Sequence, residues 1–157
     1  MITNKRAQQF QEALQERGLD LTVVELPDST RTADDAAKAL SCQKSQIVKS
    51  LVFRNETTGE AVMVLASGPN RVNEKAIEAH VGGKIGKADA EFVKRVTGYS
   101  IGGVPPLCHR EQLTVLVDED LLAFDETWAA AGTPNAVFKI PGKIVEILDE
   151  HTVVSVK

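Results

Sequence analysis

One lysine stands out because it lies in a stretch that otherwise predicts a buried β-strand. Residues 46–53 read Gln-Ile-Val-Lys-Ser-Leu-Val-Phe, and since side chains alternate across a strand, Lys49 shares a face with Leu51 and Phe53. An ammonium in apolar surroundings needs an anion or a strong acceptor to replace water. Two interpretations follow: an edge-strand lysine with its head in solvent, or a cation directed into a pocket toward an anionic or carbonyl-bearing ligand.

A second candidate feature is the glycine loop, residues 102–106, which reads Gly-Gly-Val-Pro-Pro. Glycines let the backbone approach a ligand closely and adopt positive φ, while the two prolines stiffen the exit of the loop. The amides of Gly102, Gly103 and Val104 are therefore candidates for an oxyanion hole, in which N–H groups stabilise negative charge on an oxygen. The alternative is a sharp connection whose glycines serve only turn geometry.

Several other chemistries do not fit the residue pattern. Residues 82–88 resemble a phosphate-binding loop, but their glycine spacing is one residue short and Ala88 replaces the hydroxyl that would bind Mg²⁺. His80, His109 and His151 are widely separated without partners at ligand spacing, so neither a metal nor another cofactor is predicted. A serine nucleophile would need a Gly-x-Ser-x-Gly motif, which the sequence lacks. An enzyme with these residues would work by positioning groups.

The composition predicts one soluble globular domain over residues 1–157, since 43% of the residues are hydrophobic and 25% are charged. No apolar stretch approaches the roughly 18 residues needed to cross a bilayer, and the N-terminus lacks the apolar core of a secretory signal. These features predict a cytoplasmic protein with no membrane partner. Cys42 and Cys108 are isolated from each other, so neither a disulfide framework nor a zinc site is expected.

The charge is unevenly distributed along the chain. The net charge is −4, but residues 1–110 contain 15 Lys and Arg against 13 Asp and Glu, whereas residues 111–157 contain 3 against 9. A mild asymmetry of this kind allows a small phosphate-binding patch. It does not suggest the extended basic surface, with a pI above about 9, of a domain that holds a nucleic-acid duplex. DNA is therefore not expected as a partner.

Hydrophobic periodicity and capping residues predict an α+β fold. Helices are predicted over about 4–17, after Thr32 as N-cap with Asp35 at its N3 position, from Asn73 to Gly82, from Asp89 to Gly98, and from 141 to about 148. Strands are predicted at 21–26, 46–53, 61–66, 84–86, 113–117, 127–131, 136–140 and 152–156. The second and third strands read as an antiparallel hairpin. Because the last third lacks regular βαβ alternation, we expect a mixed, largely antiparallel twisted sheet flanked by helices in a single domain.

Lys49 and the glycine loop occur together in a family of known proteins. The segments that carry the resemblance are 32–37 (TADDAA), 47–53 (IVKSLVF), 97–106 (TGYSIGGVPP) and 115–118 (VLVD). Over most of its length the chain resembles the YbaK/ProX family of free-standing aminoacyl-tRNA deacylases, which are related to the editing insertion domain of bacterial prolyl-tRNA synthetases. The specific parts are the strand lysine, matched by Lys49, and the GxxxP loop, matched by residues 102–106.

The resemblance implies hydrolysis of the ester that joins a wrong amino acid to the terminal ribose of a tRNA. Lys49 would contact the phosphate or ribose of the terminal adenosine, and the amides of Gly102 and Gly103 would polarise the ester carbonyl. With no protein nucleophile evident, water or the vicinal ribose hydroxyl would attack the ester. The alternative is a non-catalytic module of the same fold that binds a nucleotide, a tRNA end or a synthetase without turnover.

The resemblance also implies a small pocket beside the GxxxP loop that selects the amino acid. Its substrate-binding residues would be Thr32, Ser50, Val104, Pro106, His109 and Val137. Val137 would suit a small aliphatic side chain, whereas His109 would line the mouth of the pocket or serve only the loop. Residues 131–138 depart from the Gly/Arg-rich stretch of the YbaK branch. Alanine or a residue of similar size on tRNA for proline is therefore expected as the substrate, with the acceptor end as partner and a cognate synthetase as a further candidate partner.

Overall fold

Short helices and strands alternate along the chain without a regular repeat. The computed structural model describes residues 2–27 and 32–157. The helices are α1 (Lys5–Glu16), α2 (Ala33–Leu40), α3 (Glu74–Val81) and α4 (Ala90–Thr97). The strands are β1 (Val23–Glu25), β2 (Val48–Asn55), β3 (Ala61–Ser67), β4 (Ile85–Lys87), β5 (Thr114–Asp118), β6 (Glu126–Ala130), β7 (Ala136–Pro141) and β8 (Thr152–Val154). Within the described ranges no helix is both long enough and apolar enough to cross a membrane.

The strands form two sheets rather than the one sheet that was predicted. Five strands lie in the order β4-β2-β3-β5-β8, and three lie in the order β1-β7-β6. β2 is antiparallel to β3 and β4, and β7 is antiparallel to β1 and β6, whereas β5 is parallel to β3 and β8. The predicted α+β class with mixed, largely antiparallel pairing is therefore confirmed. An isolated parallel bridge between Ile47 and Trp128 links the two sheets.

Strand β3 lies at the centre of the larger sheet and is buried on both faces. Because its side chains alternate, Met63 and Leu65 enter the larger core cluster, while Val62 and Val64 enter a smaller cluster with Ile77 of α3. The larger cluster also holds residues of α1, α4 and the three-stranded sheet. Burial on both faces thus fixes the position of β3, and β3 in turn is hydrogen-bonded to β2.

Capping residues determine the start of α2 and both the start and the end of α4. Thr32 caps α2, and its hydroxyl accepts a hydrogen bond from the amide of Asp35 at 3.0 Å, as predicted. Asp89 caps α4 in the same way, and Gly98 ends that helix with φ of +86°. Only glycine adopts this left-handed conformation without strain, so α4 stops where the sequence predicts and leads toward the glycine loop.

The predicted helix at 141–148 is wrong. Strand β7 continues to Pro141, Gly142 turns with φ of +75°, and only a short 3₁₀ segment, Ile144–Ile147, follows. Ile144 is fully buried in the larger core. Three of the four residues in this segment are β-branched, which disfavours an α-helix, and a short 3₁₀ segment is enough to bury Ile144.

Candidate active site

Five of the nine predicted site residues meet at a cavity between the two sheets. This cavity of about 220 Å³ lies where the first half of β2, the start of α2, the end of β6 and the glycine loop converge. The predicted residues that line it are Thr32, Lys49, Ser50, Gly102 and Val104. Most of the remaining lining is apolar and includes Ile101 and Trp128. The fold therefore brings the strand lysine and the glycine loop, which lie far apart in the sequence, to one hollow.

A larger cleft of about 680 Å³ lies elsewhere on the surface, lined by residues of the β2–β3 loop, α4 and the start of β8. It contains no residue of the predicted site. We assign the candidate site to the smaller cavity because the residue types suited to ester chemistry converge there.

Strand β2 places Lys49 at the cavity. Lys49 pairs with Ala66 of β3, while β4 pairs only with Phe53–Asn55 at the far end of β2. The Lys49 segment therefore has a β3 neighbour on one side and the cavity at its other edge. The ammonium is half-buried and donates a hydrogen bond to the backbone carbonyl of Asn70 at 2.5 Å. The interpretation of a lysine with its head free in solvent does not fit this contact.

Its surroundings make the charge of Lys49 costly. Burial lowers the pKa of this ammonium below its ordinary value, and the nearby cation Lys44 lowers it further. The carboxylate of Asp118 opposes this effect, and Arg71 adds to it. Lys44 and Arg71 thus lie near Lys49, and although Lys44 is paired with Asp34 at 3.2 Å, an incoming anion such as a phosphate would offset the remaining positive charge.

The glycine loop is held close to a second turn. The amide of Gly103 donates to the carbonyl of Ser100 at 3.0 Å, and the carbonyl of Gly103 accepts from the amide of Gly132 at 2.9 Å. A Cβ atom at Gly103 would lie 2.7 Å from the Cα of Thr133, so only glycine fits. This structure gives Gly103 a role in packing the loop, and its amide is already used.

The flanking amides remain open. Gly102, with φ of +95°, and Val104 both line the cavity. Neither amide donates a hydrogen bond to any residue in 2–27 or 32–157. Unpaired backbone N–H groups in a partly enclosed site are uncommon and costly. Gly102 and Val104 are thus better candidate donors to a ligand oxygen than the predicted pair of Gly102 and Gly103.

Ser50 adds a third unsatisfied group. Its hydroxyl oxygen is buried without a hydrogen-bond partner in the described part of the chain, and the residue lines the cavity. An unpaired buried hydroxyl costs about 1–3 kcal/mol. A ligand with a donor or acceptor near Ser50 would offset that cost.

Three predicted substrate-binding residues do not line the cavity. Pro106 and His109 lie in a separate cleft of about 460 Å³ that also contains Arg17. His109 Nε2 is 2.7 Å from the carbonyl oxygen of Pro105, and because a carbonyl only accepts, Nε2 carries the proton. Burial lowers the pKa of His109, which favours this neutral form. His109 therefore supports the glycine loop from behind, and Val137 is a buried residue of β7.

Comparison with known proteins agrees with this geometry. Residues 27–147 match the family model of the aminoacyl-tRNA editing domain. The chain belongs to the aminoacyl-tRNA editing domain family. The resemblance inferred from Lys49 and the glycine loop is thereby confirmed, and the chain is an enzyme of the aminoacyl-tRNA deacylase class.

Similar proteins include free-standing chains and parts of synthetases. A solved structure described as a candidate trans-editing enzyme for prolyl-tRNA synthetase is 44% identical, with a TM-score of 0.91 over 99% of both chains. Protein YwhH of Bacillus subtilis, itself uncharacterised, is 29% identical over 77% of this chain and 76% of its own length. The proline--tRNA ligase of Limosilactobacillus fermentum is 35% identical over 57% of this chain, which corresponds to 16% of the ligase.

The editing-domain site shows no arrangement for a metal ion. Across residues 2–27 and 32–157, no three His, Cys, Asp or Glu side chains are grouped so that they could hold one. The donors that line the cavity are an ammonium, hydroxyls and backbone amides, which suit anions and carbonyl oxygens better than cations.

Sequence reasoning missed several residues of this editing-domain site. Trp128 fits the pattern of a core strand, yet it is half-buried at the cavity, with the ammonium of Lys139 5.7 Å from its ring centroid. Ile101 is 58% exposed at the same place. Asn70, which binds Lys49, follows Gly-Pro in an ordinary turn sequence, so no local signal could have identified it.

Proposed function

We propose that this chain is a trans-editing hydrolase that removes alanine, or an amino acid of similar size, from tRNA for proline. The observation that carries the proposal is the convergence of Lys49 and Gly102 on one small cavity. The family assignment and the likeness to a candidate trans-editing enzyme for prolyl-tRNA synthetase support it.

In the proposed complex Lys49 anchors the 3′ end of the tRNA. Its ammonium has three N–H donors, of which one is given to Asn70, so two can contact the phosphate or ribose of the terminal adenosine. Arg71, one residue beyond Asn70, is exposed and has no ion pair or hydrogen bond within the described ranges. It is well placed to meet a neighbouring phosphate. Ile101 and Trp128 offer apolar surface for the terminal base.

The reaction proceeds without a protein nucleophile. The carbonyl oxygen of the aminoacyl ester accepts hydrogen bonds from the amides of Gly102 and Val104, which stabilise the negative charge that develops on it. In the direct route water adds to the carbonyl carbon, the bond from that carbon to the ribose oxygen breaks, and the ribose oxygen takes up the proton released by water. In the alternative route the vicinal ribose hydroxyl first takes over the acyl group and gives its proton to the departing ribose oxygen, and water then hydrolyses the new ester in the same way. The products are the free amino acid and a tRNA with an intact 3′ end.

Selectivity in this proposal rests on size. The walls near the end of β6 are formed by the small side chains Ala129 and Ala130 next to the ring of Trp128. Excluding one extra methylene in such a pocket is worth about 1–3 kcal/mol, so neighbouring amino acids are discriminated by tenfold to about two-hundredfold. Alanine, and to a lesser degree serine or cysteine, would be accepted over proline.

The partners follow from this substrate. The acceptor end of tRNA is the contact that Lys49 and Arg71, with Lys44 nearby, can serve. The net charge of −4 does not favour DNA as a partner. A cognate prolyl-tRNA synthetase, which produces the mischarged tRNA, is the further partner we propose. The proposed location is the cytoplasm, where that substrate is made.

The decisive experiment is a panel of aminoacyl-tRNAs incubated with the purified protein. We expect Ala-tRNA for proline to be deacylated faster than Pro-tRNA for proline and faster than Ala-tRNA for alanine. Deacylation is read from loss of the radiolabelled amino acid. Binding of tRNA without turnover of any substrate would instead support the non-catalytic module.

Replacing Lys49 tests the site itself. Lys49→Ala should reduce kcat/KM by about tenfold or more, because the ammonium that anchors the acceptor end is lost while the fold remains. The matched control is Lys87→Ala, which removes an exposed lysine from β4 in the same sheet but outside the cavity. Equal turnover by wild type and Lys49→Ala would remove Lys49 from the mechanism.

A further inference from the structure

A buried carboxylate lies behind the carbonyl that binds Lys49. Asp118, at the end of β5, has a fully buried side chain. Its Oδ2 accepts hydrogen bonds from the side-chain amide of Asn70 at 2.7 Å and from the backbone amide of Ser67 at 3.0 Å. Its Oδ1 accepts from the amide of Asp120 at 2.9 Å. A buried carboxylate needs partners of this kind, and two of them belong to the turn that follows β3.

That turn, residues 67–70, is fixed at several points. The amide of Asn70 donates to the carbonyl of Ser67 at 2.9 Å, and the hydroxyl of Ser67 donates to the carbonyl of Ser45 at 2.7 Å. A Cβ atom at Gly68 would collide with the carbonyl of Lys44. The side-chain amide of Asn70 also reaches Asp120 at 2.8 Å. The turn therefore has little freedom to move its carbonyls.

We propose that Asn70 and Asp118 are positioning residues for Lys49. Asp118 holds the side chain of Asn70, and Asn70 turns its own backbone carbonyl to the ammonium of Lys49. This chain of contacts determines where the cation lies at the cavity and leaves two of its donors for a ligand. Neither residue lines the cavity, so both act through Lys49 rather than on the substrate.

The electrostatics favour the same assignment. Burial, Lys44 and Arg71 all favour loss of the Lys49 proton, whereas the negative charge of Asp118 favours its retention. A hydrogen bond to the Asn70 carbonyl likewise favours the ammonium over the neutral amine, which would donate more weakly. Removing either contact should therefore increase the fraction of Lys49 present as the neutral, reactive amine. It should also allow the side chain to leave the position that it occupies at the cavity.

The chemical test needs no tRNA. Wild type, Asn70→Ala and Asp118→Asn are labelled with a limiting amount of an amine-reactive anhydride at neutral pH, and modification of each lysine is measured by mass spectrometry. Relative to Lys87, we expect Lys49 to react about threefold faster or more in both variants. The matched control is Asn55→Ala, which removes a buried asparagine that holds the turn at the other end of β2.

The outcomes separate this inference from the proposed function, on which its catalytic part rests. Faster labelling of Lys49 in the two variants, with no deacylation even by wild type, supports the positioning role and contradicts the proposed function. Unchanged labelling in a wild type that does deacylate contradicts the positioning role. If Asp118→Asn fails to fold, as judged by circular dichroism, the labelling of Lys49 in Asn70→Ala alone tests the positioning role, because Asn70 is only partly buried.

A double-mutant cycle tests whether the effect passes through Lys49. In the wild-type background Asp118→Asn should lower kcat/KM by about tenfold, because a misplaced anchor misorients the ester. In the Lys49→Ala background the same change should cost little further, since nothing remains to be positioned. Additive losses would mean that Asp118 merely supports the sheet, and would overturn the inference.

Discussion

Two turns contribute to the candidate site, the turn at residues 67–70 through its contact with Lys49 and the glycine loop by lining the cavity, and they differ in how their polar groups are satisfied. In the turn at residues 67–70, the backbone and side-chain groups of Ser67 and Asn70 are hydrogen-bonded to Ser45, Asp118 and Asp120. In the glycine loop, the amides of Gly102 and Val104 have no partner within the described ranges, and only Gly103 between them is paired. The first turn binds the ammonium of Lys49, whereas the second leaves two amides unpaired within the described ranges, and we propose that these amides contact the oxygen of a ligand.

The difference shows how a site can be rigid and still incomplete. Open amides are tolerable only if the surrounding backbone cannot rearrange to satisfy them. Here Gly103 packs against Gly132 and Thr133, and His109 holds the carbonyl of Pro105. These contacts restrain the glycine loop, and we propose that they keep its free amides preorganised for an oxyanion.

The largest expected effect comes from removing one open donor. Replacing Val104 by its α-hydroxy acid analogue changes the amide to an ester and deletes the N–H without altering the side chain. We expect the deacylation rate to fall by about 10²–10³, the loss seen when an oxyanion-hole donor is removed. Single-turnover kinetics with a mischarged tRNA would measure it.

The same replacement at Gly103 is the matched control. Its N–H is donated to Ser100, so its loss should cost about 1 kcal/mol of folding stability and much less in rate than the change at Val104. Equal rate losses at the two positions would contradict the division of roles between paired and open amides.

The second prediction concerns the close packing of Gly103 against the turn at Gly132 and Thr133. Gly103→Ala would place a Cβ 2.7 Å from Thr133 Cα and 2.8 Å from the carbonyl carbon of Gly132. Since both contacts are with backbone, the loop must shift, which should lower the free energy of unfolding by about 1–3 kcal/mol. Urea denaturation measures this loss. Because Gly103 does not have positive φ, the loss can be attributed to the added methyl group, and an unchanged free energy of unfolding in Gly103→Ala would rule out close packing at this position.

A smaller effect on stability is expected from pH, because His109, which is hydrogen-bonded to Pro105 of the glycine loop, can be protonated. Because the pKa of His109 is lowered in the folded chain, the unfolded chain binds the proton first as pH falls. Stability contributed by neutral His109 is complete above about pH 6.5 and is lost as pH falls from there toward the lowered pKa, by less than about 1.4 kcal/mol per pH unit.

Thermal unfolding between pH 7 and pH 5 measures the dependence on His109. His109→Gln, which keeps a donor for the Pro105 carbonyl but does not titrate, should show a shallower loss of stability than wild type. His80→Asn, a change at an exposed histidine of α3, serves as the control. An unchanged slope in His109→Gln would show that other groups cause the acid sensitivity.

The smallest effect is expected from Ser50. Because its buried hydroxyl lacks a partner within the described chain, Ser50→Ala should leave stability unchanged or raise it by up to about 1 kcal/mol. The same change should raise KM for a mischarged tRNA, since a ligand group loses its contact. Thr127→Val removes the other such hydroxyl, which lies outside the cavity, and should leave KM unchanged. A lower stability of Ser50→Ala would show that the hydroxyl is satisfied.

Local signals in the sequence predicted much of the fold. Helix ends at Thr32, Asp89 and Gly98 depend on one side chain or one backbone angle, and the structure confirms them. The division into two sheets depends instead on β7 pairing with β1 across most of the chain, which no local pattern encodes. The helix predicted at 141–148 is wrong because β7 continues to Pro141, Gly142 turns the chain, and a short 3₁₀ segment is enough to bury Ile144.

The residues of the candidate site likewise include some that local sequence predicts and some that it does not. Lys49 and the glycine loop were recognisable because an ammonium in an apolar strand and paired glycines before prolines are unusual in themselves. Asn70 and Asp118 were not, because an asparagine after Gly-Pro and an aspartate at a strand end occur in many turns. Their importance comes only from the parallel pairing of β3 with β5, which brings the strand ends together.

The cavity lies along the line where the two sheets meet, beside the single bridge between Ile47 and Trp128. Its width therefore depends on the spacing of the two sheets, which share one core cluster that contains Leu65 of the larger sheet and Phe138 of the smaller one. Substitutions deep in the interior can widen or narrow the opening while the reactive groups stay as they are. We therefore expect such substitutions to change which amino acid the proposed site accepts without altering the residues that act on the ester.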